Sequence, residues 1–419
     1  MNPRAPWYKW LLVAFMFFVA AIYYGDRTAL SAVYPLLRKD LGLSDIELGL
    51  VGSAFLWTFG LGSPFAGYLS DRFSRARIVM LSLAAWSVAT LLVAFVRDLR
   101  QLMWARALLG ITECFYTPAA LALIADHHGP STRGAAIGIN LAGMSFGMIT
   151  AGTVAGYVAE SQGWRPAFLY LGGIGIAIAL IGLIYVRDGE SHTPAKRVAP
   201  VSLQANFLTL FRTRTYMLVL TESMLNSAGV WMFWNWLPLY YQETFGLSLA
   251  GAGFSGTFML QSAAALGIMT GGYASDRWGK NRPSHRPLVM SICYFVSAPF
   301  LLAFSLAPTY AVVSACVFLF SLIRSFGQAA ENPMLCDVLP KHVWSSAMGL
   351  LLTSNVAAGS VSILFAAWIK GLHGLGFAFS CISGIVIVAA FLGLAACRSL
   401  PGDMARLRQQ VPEASAVRG

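Results

Sequence analysis

Long apolar stretches dominate the pattern of hydrophobic and polar positions along the 419 residues. A helix needs about 20 mainly apolar residues to cross a bilayer, and twelve stretches of that kind lie between charge clusters, glycines or prolines. An unpaired backbone group is costly in hydrocarbon, so each stretch must form its hydrogen bonds internally as a helix; the runs also lack the alternation of barrel strands. We predict spans at residues 8–34, 46–70, 78–96, 100–126, 134–158, 166–186, 214–242, 250–275, 286–307, 310–337, 344–369 and 374–396.

The composition agrees with this pattern. Hydrophobic residues make up 57% of the chain and charged residues 11%, which is too little charge to cover a water-soluble globule of this size. The first apolar run follows Lys9, lacks a small-residue cleavage site and continues through Asp26 and Arg27, so we interpret it as an uncleaved span rather than a signal peptide. The predicted fold class is an all-α membrane protein with twelve transmembrane helices.

Lys and Arg are distributed unevenly between the two sides of the membrane. With the N-terminus inside, 20 of the 29 lie in inner segments and six in outer loops, while Arg27, Arg106 and Arg324 lie within spans. This positive-inside bias predicts a multi-pass protein of the bacterial inner membrane with both termini in the cytoplasm. The bias also accounts for the net charge of +11, so no nucleic-acid partner is needed to explain it. Membrane lipids are the expected surroundings.

A hydrophilic segment from about Arg187 to Arg214 divides the spans into two groups of six. Within it, apolar residues between Leu203 and Phe211 recur at helical spacing, which predicts a short helix on the inner membrane surface. We therefore predict an N-terminal six-helix bundle at 1–190, a cytoplasmic linker at 191–213, a C-terminal six-helix bundle at 214–398 and a cytoplasmic tail at 399–419.

The end of span 2 carries a motif that recurs at the end of span 8, 205 residues later. The first copy contains Gly67, Asp71, Arg72 and Arg75, and the second contains Gly272, Asp276, Arg277 and Lys280. The motif resembles the signature loop of the major facilitator superfamily, and the resemblance extends over almost the whole chain, with one departure at Ser74, where that family usually has Gly. It implies two homologous six-helix halves with a substrate site at their interface near the membrane midplane.

The loop itself is predicted to act as a gate. Gly67 permits close helix approach, Asp71 can meet a facing helix N-terminus or an Arg, and the basic residues stay at the level of the lipid phosphates. Such a cluster can hold one conformation shut, although a solvated loop whose charges only set topology is the alternative. The predicted gating residues are Gly67, Asp71, Arg72, Arg75, Asp276, Arg277, Arg324 and Glu331.

Four charges inside the spans are functional candidates, because a buried ionisable residue is costly. Asp26 and Arg27 lie in span 1, and Arg106 and Glu113 lie in span 4. Since seven residues are nearly two helical turns, Arg106 and Glu113 share a face, about 10 Å apart along the axis. The spacing recurs in span 10 as Arg324 and Glu331, followed by Pro333, which can break the helix.

The four charges are similar to those of the anion:cation symporter family within the superfamily, whose members carry sugar acids and related anions with protons. The resemblance implies that Arg27 is the leading ligand for the carboxylate of the cargo, that Arg106 either orients Glu113 or binds the anion itself, and that Asp26 and Glu113 carry protons. A carboxyl group that loses its Arg partner to the cargo binds a proton more readily. The alternative is that these charges form static interhelical ion pairs. Glu222 in span 7 is a further isolated acid, for which a partner near the cytoplasmic end is the simplest account.

Polar and aromatic residues within the spans are candidates for the cavity lining. Amides in mid-helix can bond the hydroxyl groups of a sugar acid, whereas helix-to-helix hydrogen bonding and an interfacial aromatic belt are the alternatives. The predicted substrate-binding residues besides the two arginines are Tyr23, Tyr116, Asn140, Trp231, Asn235, Gln261 and Asn355.

The sequence offers no support for an enzyme, a metal site or a cofactor. The six cysteines form no CxxC pair, and the turn His127-His128 lacks a third ligand. Ser145 between Gly143 and Gly147 fits a nucleophile-elbow pattern, but that motif needs a strand-to-helix turn and here falls within span 5.

The first functional hypothesis is therefore a monomeric, proton-coupled symporter of a small organic anion, either a sugar acid or a monocarboxylate. A spinster-like lipid carrier is the second, because that branch also has an acid followed by Arg in helix 1 and an Arg with Glu in helix 4. A membrane sensor that no longer transports is the third. The residues leave open the identity of the anion, the number of protons and the direction of flux.

Overall fold

A computed structural model describes residues 7–189, 203–279, 285–306, 309–340 and 343–410. Within these ranges the chain is helical and contains no strand, which confirms the all-α prediction. The first eight helices are α1 (Tyr8–Ala32), α2 (Tyr34–Leu41), α3 (Asp45–Arg72), α4 (Arg75–Val93), α5 (Leu99–Glu113), α6 (Tyr116–His127), α7 (Pro130–Gln162) and α8 (Trp164–Tyr185).

Eight more helices follow. A 3₁₀ turn at Ala298–Leu302 separates the two helices of predicted span 9. The helices are α9 (Leu203–Arg212), α10 (Arg214–Phe245), α11 (Leu249–Gly279), α12 (His285–Ser297), α13 (Ala303–Leu306), α14 (Tyr310–Gln328), α15 (Glu331–Val338) and α16 (Trp344–Gln410).

Ten stretches of the described chain are long and apolar enough to cross a membrane. One of them, Ser346–Leu407, covers predicted spans 11 and 12, which are separated by a break at Gly374, where φ is 82°. Predicted span 7 coincides with α10, which is 32 residues long but is not among the ten. Each of the twelve predicted spans thus coincides with helical residues, and the chain is a multi-pass membrane protein.

Predicted spans 4 and 10 are not continuous helices. The first is interrupted between Glu113 and Tyr116, and the second between Gln328 and Glu331. Pro118 and Pro333 are each the third residue after the break. A proline ring clashes with the carbonyl four residues earlier, which here belongs to the first residue of each break. Each interruption is therefore accompanied by a proline, although Pro64 and Pro238 lie inside uninterrupted helices, and each one places a glutamate at a helix end.

The described residues form two compact units. The first draws on Met1–Val198, Trp231–Phe258 and Gly359–Leu375, and the second on Ala199–Val230, Met259–Ala358 and Gly376–Gly419. In the first unit α7 packs closely on α1, because Gly143 and Gly147 leave room for the backbone carbonyls of Phe17 and Ala21. Ser145 therefore belongs to a helix-packing segment.

Candidate functional site

The centre of the first unit contains a buried ion pair between α1 and α5. Arg27 donates from Nε and Nη2 to Oε2 of Glu113, at 3.0 and 2.8 Å. The Arg27 side chain is 8% exposed and the Glu113 side chain 0%. Oε1 of Glu113 is also buried and finds no hydrogen-bond partner among the described residues. One carboxylate oxygen therefore receives both donors, while the other has bonding capacity left.

A glycine brings α5 close enough to α3 to form this site. A Cβ atom on Gly110 would lie 3.0 Å from the backbone nitrogen of Phe59 and still closer to the carbonyl of Phe55. Only glycine allows this approach. Arg106, one turn earlier in α5, consequently places its guanidinium carbon 4.9 Å from the centre of the Phe55 ring. The helix contact thus positions both charged residues of α5.

Aromatic rings surround the Arg27 guanidinium. Its central carbon lies within cation–π range of rings from α1, α3 and α10, an interaction worth about 2 kcal/mol or more when desolvated. The distances to the ring centres are 4.5 Å for Tyr23, 4.5 Å for Tyr24, 4.7 Å for Phe55, 5.0 Å for Phe59 and 5.9 Å for Trp231. The charge is thus held in a dry, aromatic environment that stabilises a cation without neutralising it.

Arg27 and Arg106 face one small cavity. Its volume of about 20 Å³ is room for about one water molecule. Arg106 is 3% exposed, and within the described ranges it forms no ion pair and its Nε finds no hydrogen-bond partner. The cavity thus adjoins one guanidinium that an acid already holds and one that has no such partner. The lining residues are Tyr24, Arg27, Thr28, Gly52, Phe55, Leu56, Arg106, Met148, Trp231, Trp234, Asn235 and Ile363.

Asp26 does not pair with its neighbour Arg27. Successive residues of a helix point about 100° apart, and Arg27 turns to Glu113 instead. Asp26 is 2% exposed, and neither of its carboxylate oxygens finds a hydrogen-bond partner in the described part of the chain. The two acids predicted to carry protons therefore differ: Glu113 is held by an arginine, whereas Asp26 is buried near Thr90 and forms no ion pair with a described residue.

The predicted substrate-binding residues of the first unit fall into two groups. Trp231 and Asn235 line the cavity with the arginines, and Asn235 accepts a hydrogen bond from the hydroxyl of Tyr34 at 2.9 Å. The second group does not line the cavity but forms a packed cluster of Tyr23, Tyr116 and Asn140. In that cluster the Tyr116 hydroxyl donates to Oδ1 of Asn140 at 2.9 Å, and the Tyr23 and Tyr116 ring centres are 4.6 Å apart.

The remaining predicted residues belong to the second unit. Asn355 donates to the hydroxyl of Ser223 at 2.9 Å, and Gln261 is 9% exposed. Arg324 is 5% exposed and directs its donors to neutral oxygens rather than to Glu331. Its acceptors are Asn226 at 3.0 Å, Gln328 at 2.9 Å and Ser325 at 2.8 Å.

The predicted gating loop is only partly described, because the side chains of Asp71 and Asp276 lie outside the described residues. Arg72 and Arg277 are exposed, and Arg75 forms an ion pair with Asp126 of α6 at 2.5 Å. Apart from the surrounding backbone of α3 itself, no atom of the described residues lies within 4 Å of the position that a Cβ on Gly67 would take.

Ser74, which departs from the family pattern, lies between α3 and α4 and is the N-cap residue of α4. Its hydroxyl accepts a hydrogen bond from the backbone nitrogen of Arg77 at 3.2 Å and donates to Asp188 at 2.5 Å. Asp188 also accepts from the backbone nitrogen of Ala76 at 2.8 Å. The serine thus caps α4 and connects it to the segment after α8.

Sequence reasoning missed a charge network in the first unit. Lys370 donates to Asp45 at 2.9 Å and to Glu243 at 2.8 Å, and Arg38 pairs with the same two acids. These residues lie at the ends of α2, α3, α10 and the first part of α16. Two acidic and two basic residues lie near loops that are predicted on the outer side. This pattern in the sequence could have indicated the network.

The pair His127-His128 lies at the end of α6. His128 is 2% exposed and bonds the carbonyl of Lys9 at 3.2 Å and the hydroxyl of Thr132 at 3.1 Å. All six cysteines are free. Among the residues that the structure describes, no group of three or more His, Cys, Asp or Glu is arranged to hold a metal ion.

Comparison with known proteins places this geometry in a family. The model of the Major Facilitator Superfamily matches residues 16–284 and 223–416. The probable galactarate/D-glucarate transporter GudP of Escherichia coli (strain K12) is 25% identical, with 95% of this chain and 94% of that protein covered. The probable sulfoacetate transporter SauU of Cupriavidus necator is 26% identical, with 93% and 92% covered.

Solved structures agree on the fold. A bacterial homologue of the human lysosomal transporter Spinster, in an inward-facing and unoccupied conformation, has a TM-score of 0.82 at 19% identity, with 95% of this chain and 99% of that chain covered. A point mutant of the nucleoside transporter NupG has a TM-score of 0.75 at 14% identity, with 93% and 99% covered. At these identities the likeness concerns the fold alone. With a family model spanning most of its length and relatives that are named organic-anion transporters, the chain belongs to the major facilitator superfamily and is a membrane transporter rather than an enzyme.

Proposed function

We propose that this protein is a secondary active transporter that carries a small organic anion, a sugar acid or a monocarboxylate, together with protons by alternating access. The observation that carries the proposal is the Arg27–Glu113 pair beside a second buried guanidinium. Arg106 faces the same cavity and forms no ion pair in the described part of the chain, so its guanidinium is available to the carboxylate of an anionic cargo.

The coupling follows from competition for Arg27. A cargo carboxylate that binds Arg106 lies next to Arg27 and competes with Oε2 of Glu113 for its donors. Once released, Glu113 is a buried carboxylate without a cation, which is costly, so it takes up a proton. The proton binds to a carboxylate oxygen of Glu113. The glutamate is then neutral, and the cargo carboxylate replaces it as the negative charge beside Arg27.

Alternating access is supported by the size of the cavity. A space of about 20 Å³ holds about one water molecule and is too small for a sugar acid, so cargo entry requires the surrounding helices to separate. The network of Arg38, Asp45, Glu243 and Lys370 joins helix ends at one side of this unit. We assign that side to the outside of a bacterial inner membrane, with both termini in the cytoplasm, because of the positive-inside bias.

The relatives define which anions to test first. GudP is named for galactarate and D-glucarate, a relative from Escherichia coli O6:H1 is named a D-galactonate transporter, and SauU is named for sulfoacetate. A ligand that binds only the folded protein raises its apparent melting temperature by mass action. A thermal-shift screen of purified protein should therefore detect binding of one or more of these anions. The screen also includes benzoate, as an aromatic monocarboxylate, and lysophosphatidylcholine, as a ligand that a lipid carrier would bind.

Uptake into proteoliposomes then tests the mechanism. An inward-directed proton gradient should drive accumulation of the stabilising anion above its equilibrium level, and a proton ionophore should abolish this accumulation. Stabilisation by the lysolipid alone, or uptake indifferent to the proton gradient, would contradict the proposed symport.

A further inference from the structure

A second cluster of buried charges lies in the second unit. Glu222 of α10 is 0% exposed, and Glu331, the first residue of α15, is 5% exposed. Arg324 of α14 is 5% exposed, and it interacts electrostatically with both acids. Tyr294 of α12 lies beside Glu222. Among the described residues, the charged and titratable groups around Glu222 are thus one further acid, Glu331, one arginine and one tyrosine.

Neither acid is bonded to the arginine. Arg324 donates to Asn226, Gln328 and Ser325, and Glu331 lies beside Ser223 and Gln328. Both carboxylate oxygens of Glu222 are buried and find no hydrogen-bond partner among the described residues. The hydroxyl oxygen of Tyr294 is in the same condition. Glu222 is therefore a fully buried acid that lies beside the Tyr294 hydroxyl and forms no ion pair with a described residue.

The charge balance of this cluster differs from that of the first unit. There, Asp26 and Glu113 are matched in number by Arg27 and Arg106. Here, among the described residues, two acids face one arginine, so a fully ionised cluster would hold an uncompensated buried carboxylate, which is unfavourable. A single proton removes the excess negative charge and needs no cavity, and it gives one carboxyl group an O–H donor.

We propose that Glu222 and Glu331, with Arg324, form a second proton-binding site that holds one proton and releases and rebinds it during transport. The proton resides on a carboxylate oxygen of Glu222 or Glu331, and the Arg324 guanidinium balances the acid that stays ionised. Glu331 is suited to such a cycle because it lies at the break between α14 and α15, as Glu113 does at the break after α5. Discontinuous helices commonly form the substrate and coupling-ion sites of transporters.

Infrared spectroscopy of the purified full-length protein at neutral pH tests the site without any cargo. A protonated carboxyl group gives a C=O band distinct from that of a carboxylate. Glu222→Gln should remove one such band, and Glu331→Gln should also remove it, because the single remaining acid can then pair with Arg324 in the ionised form. Arg324→Gln should instead add one. Glu47→Gln is the control, since Glu47 is a partly exposed capping acid and Gln preserves the cap.

Two results would exclude a proton at this site. Protonated-carboxyl bands that are identical in wild type and in all three cluster variants would overturn the proposal. Loss of the wild-type band in NaCl, but not in choline chloride, would also overturn it, because it would identify a sodium site. Because three variants are used, failure of one to fold still leaves the test decisive.

The role in the transport cycle rests on the proposed symport and is measured separately. In proteoliposomes the number of protons per anion, obtained from the membrane potential that stops net flux, should fall by about one in Glu222→Gln and stay unchanged in Glu47→Gln. An unchanged ratio in Glu222→Gln would contradict the role in transport even where the infrared band is lost. Proton-independent uptake by the wild type would instead contradict the symport itself while leaving the infrared result intact.

Discussion

Arg27 is the residue on which the proposed anion site depends. Its guanidinium is enclosed by aromatic rings and held by one oxygen of Glu113. The sequence places Arg27 within a predicted span. Because a charged residue inside the membrane is costly, its presence there predicted a functional role. The choice of partner could not be predicted, since it depends on how α5 packs against α1 and α3. An adjacent Asp26 in the sequence suggests a different pair from the one that forms.

Replacing Arg27 should remove anion binding. Arg27→Ala is expected to weaken anion affinity about 10- to 100-fold, which corresponds to the loss of about 1.5–3 kcal/mol for a hydrogen bond to a charged group, and uptake should fall to background. Binding by thermal shift and uptake by filtration are the measurements. Since the alanine variant also leaves Glu113 buried without its partner, Arg27→Lys provides a second test that retains the charge. The exposed Arg100→Ala is the control, and near-normal uptake by both Arg27 variants would exclude Arg27 as the ligand.

Glu113 should carry the proton that drives accumulation. Glu113→Gln keeps the size of the side chain and an oxygen that accepts from Arg27, but it cannot ionise. We expect gradient-driven accumulation to be lost while exchange of labelled for unlabelled anion across the membrane continues. Exchange is measured by counterflow and accumulation by gradient-driven uptake, both on the same proteoliposomes. Unaltered dependence on the pH gradient would show that another residue carries this proton.

At the scale of elements, the signature segment between α3 and α4 acts through contacts that the sequence only partly revealed. The motif indicated a gate, and Ser74 was a departure without an explanation. In the fold, Ser74 caps α4 and donates to Asp188, and Arg75 pairs with Asp126 at the end of α6. Both acids lie far from the motif in the sequence, so only the packing of the helices identifies them.

Breaking the Arg75–Asp126 pair should change the rate of the cycle rather than the affinity. Arg75→Glu places two like charges together and should slow uptake about tenfold or less, in keeping with the about 1 kcal/mol of a partly exposed pair. The anion affinity by thermal shift should remain at the wild-type value. Asp126→Lys in the same chain restores an opposite pair and should recover part of the rate. A large loss of affinity in Arg75→Glu alone would contradict the gating role.

On the scale of the whole molecule, the network around Lys370 is expected to control access to the cavity. Lys370 bonds both Asp45 and Glu243, and its side chain is 8% exposed, whereas its partners are 26% and 31% exposed. Each partly exposed pair contributes about 0.2–1 kcal/mol, so the loss of both pairs shifts the equilibrium between conformations by up to about 2 kcal/mol. In alternating access, such a shift favours opening on that side.

Lys370→Ala should therefore make the cavity accessible from outside. The measurement is the labelling rate of Thr28→Cys, in a background with the six native cysteines replaced, by a membrane-impermeant thiol reagent on intact cells. The rate should increase several-fold, up to about 30-fold for a shift of about 2 kcal/mol. Lys39→Ala, a nearby exposed lysine on α2, should leave the rate unchanged. Equal rates in the two variants would show that the network does not control access.

The sequence by itself determined the helical membrane fold, because hydrocarbon leaves an apolar stretch no stable alternative to a helix. It also predicted the break at Pro333 and showed the repetition of Arg and Glu seven residues apart, whereas the break before Pro118 became evident only in the structure. Only the tertiary structure decided which charges meet. Glu113 rather than Asp26 holds Arg27, and Glu222 is buried beside Glu331 and Arg324 without a hydrogen-bond partner in the described part of the chain. Partner choice depends on helix rotation and close approach between residues far apart in the chain, which hydrophobic patterning does not encode.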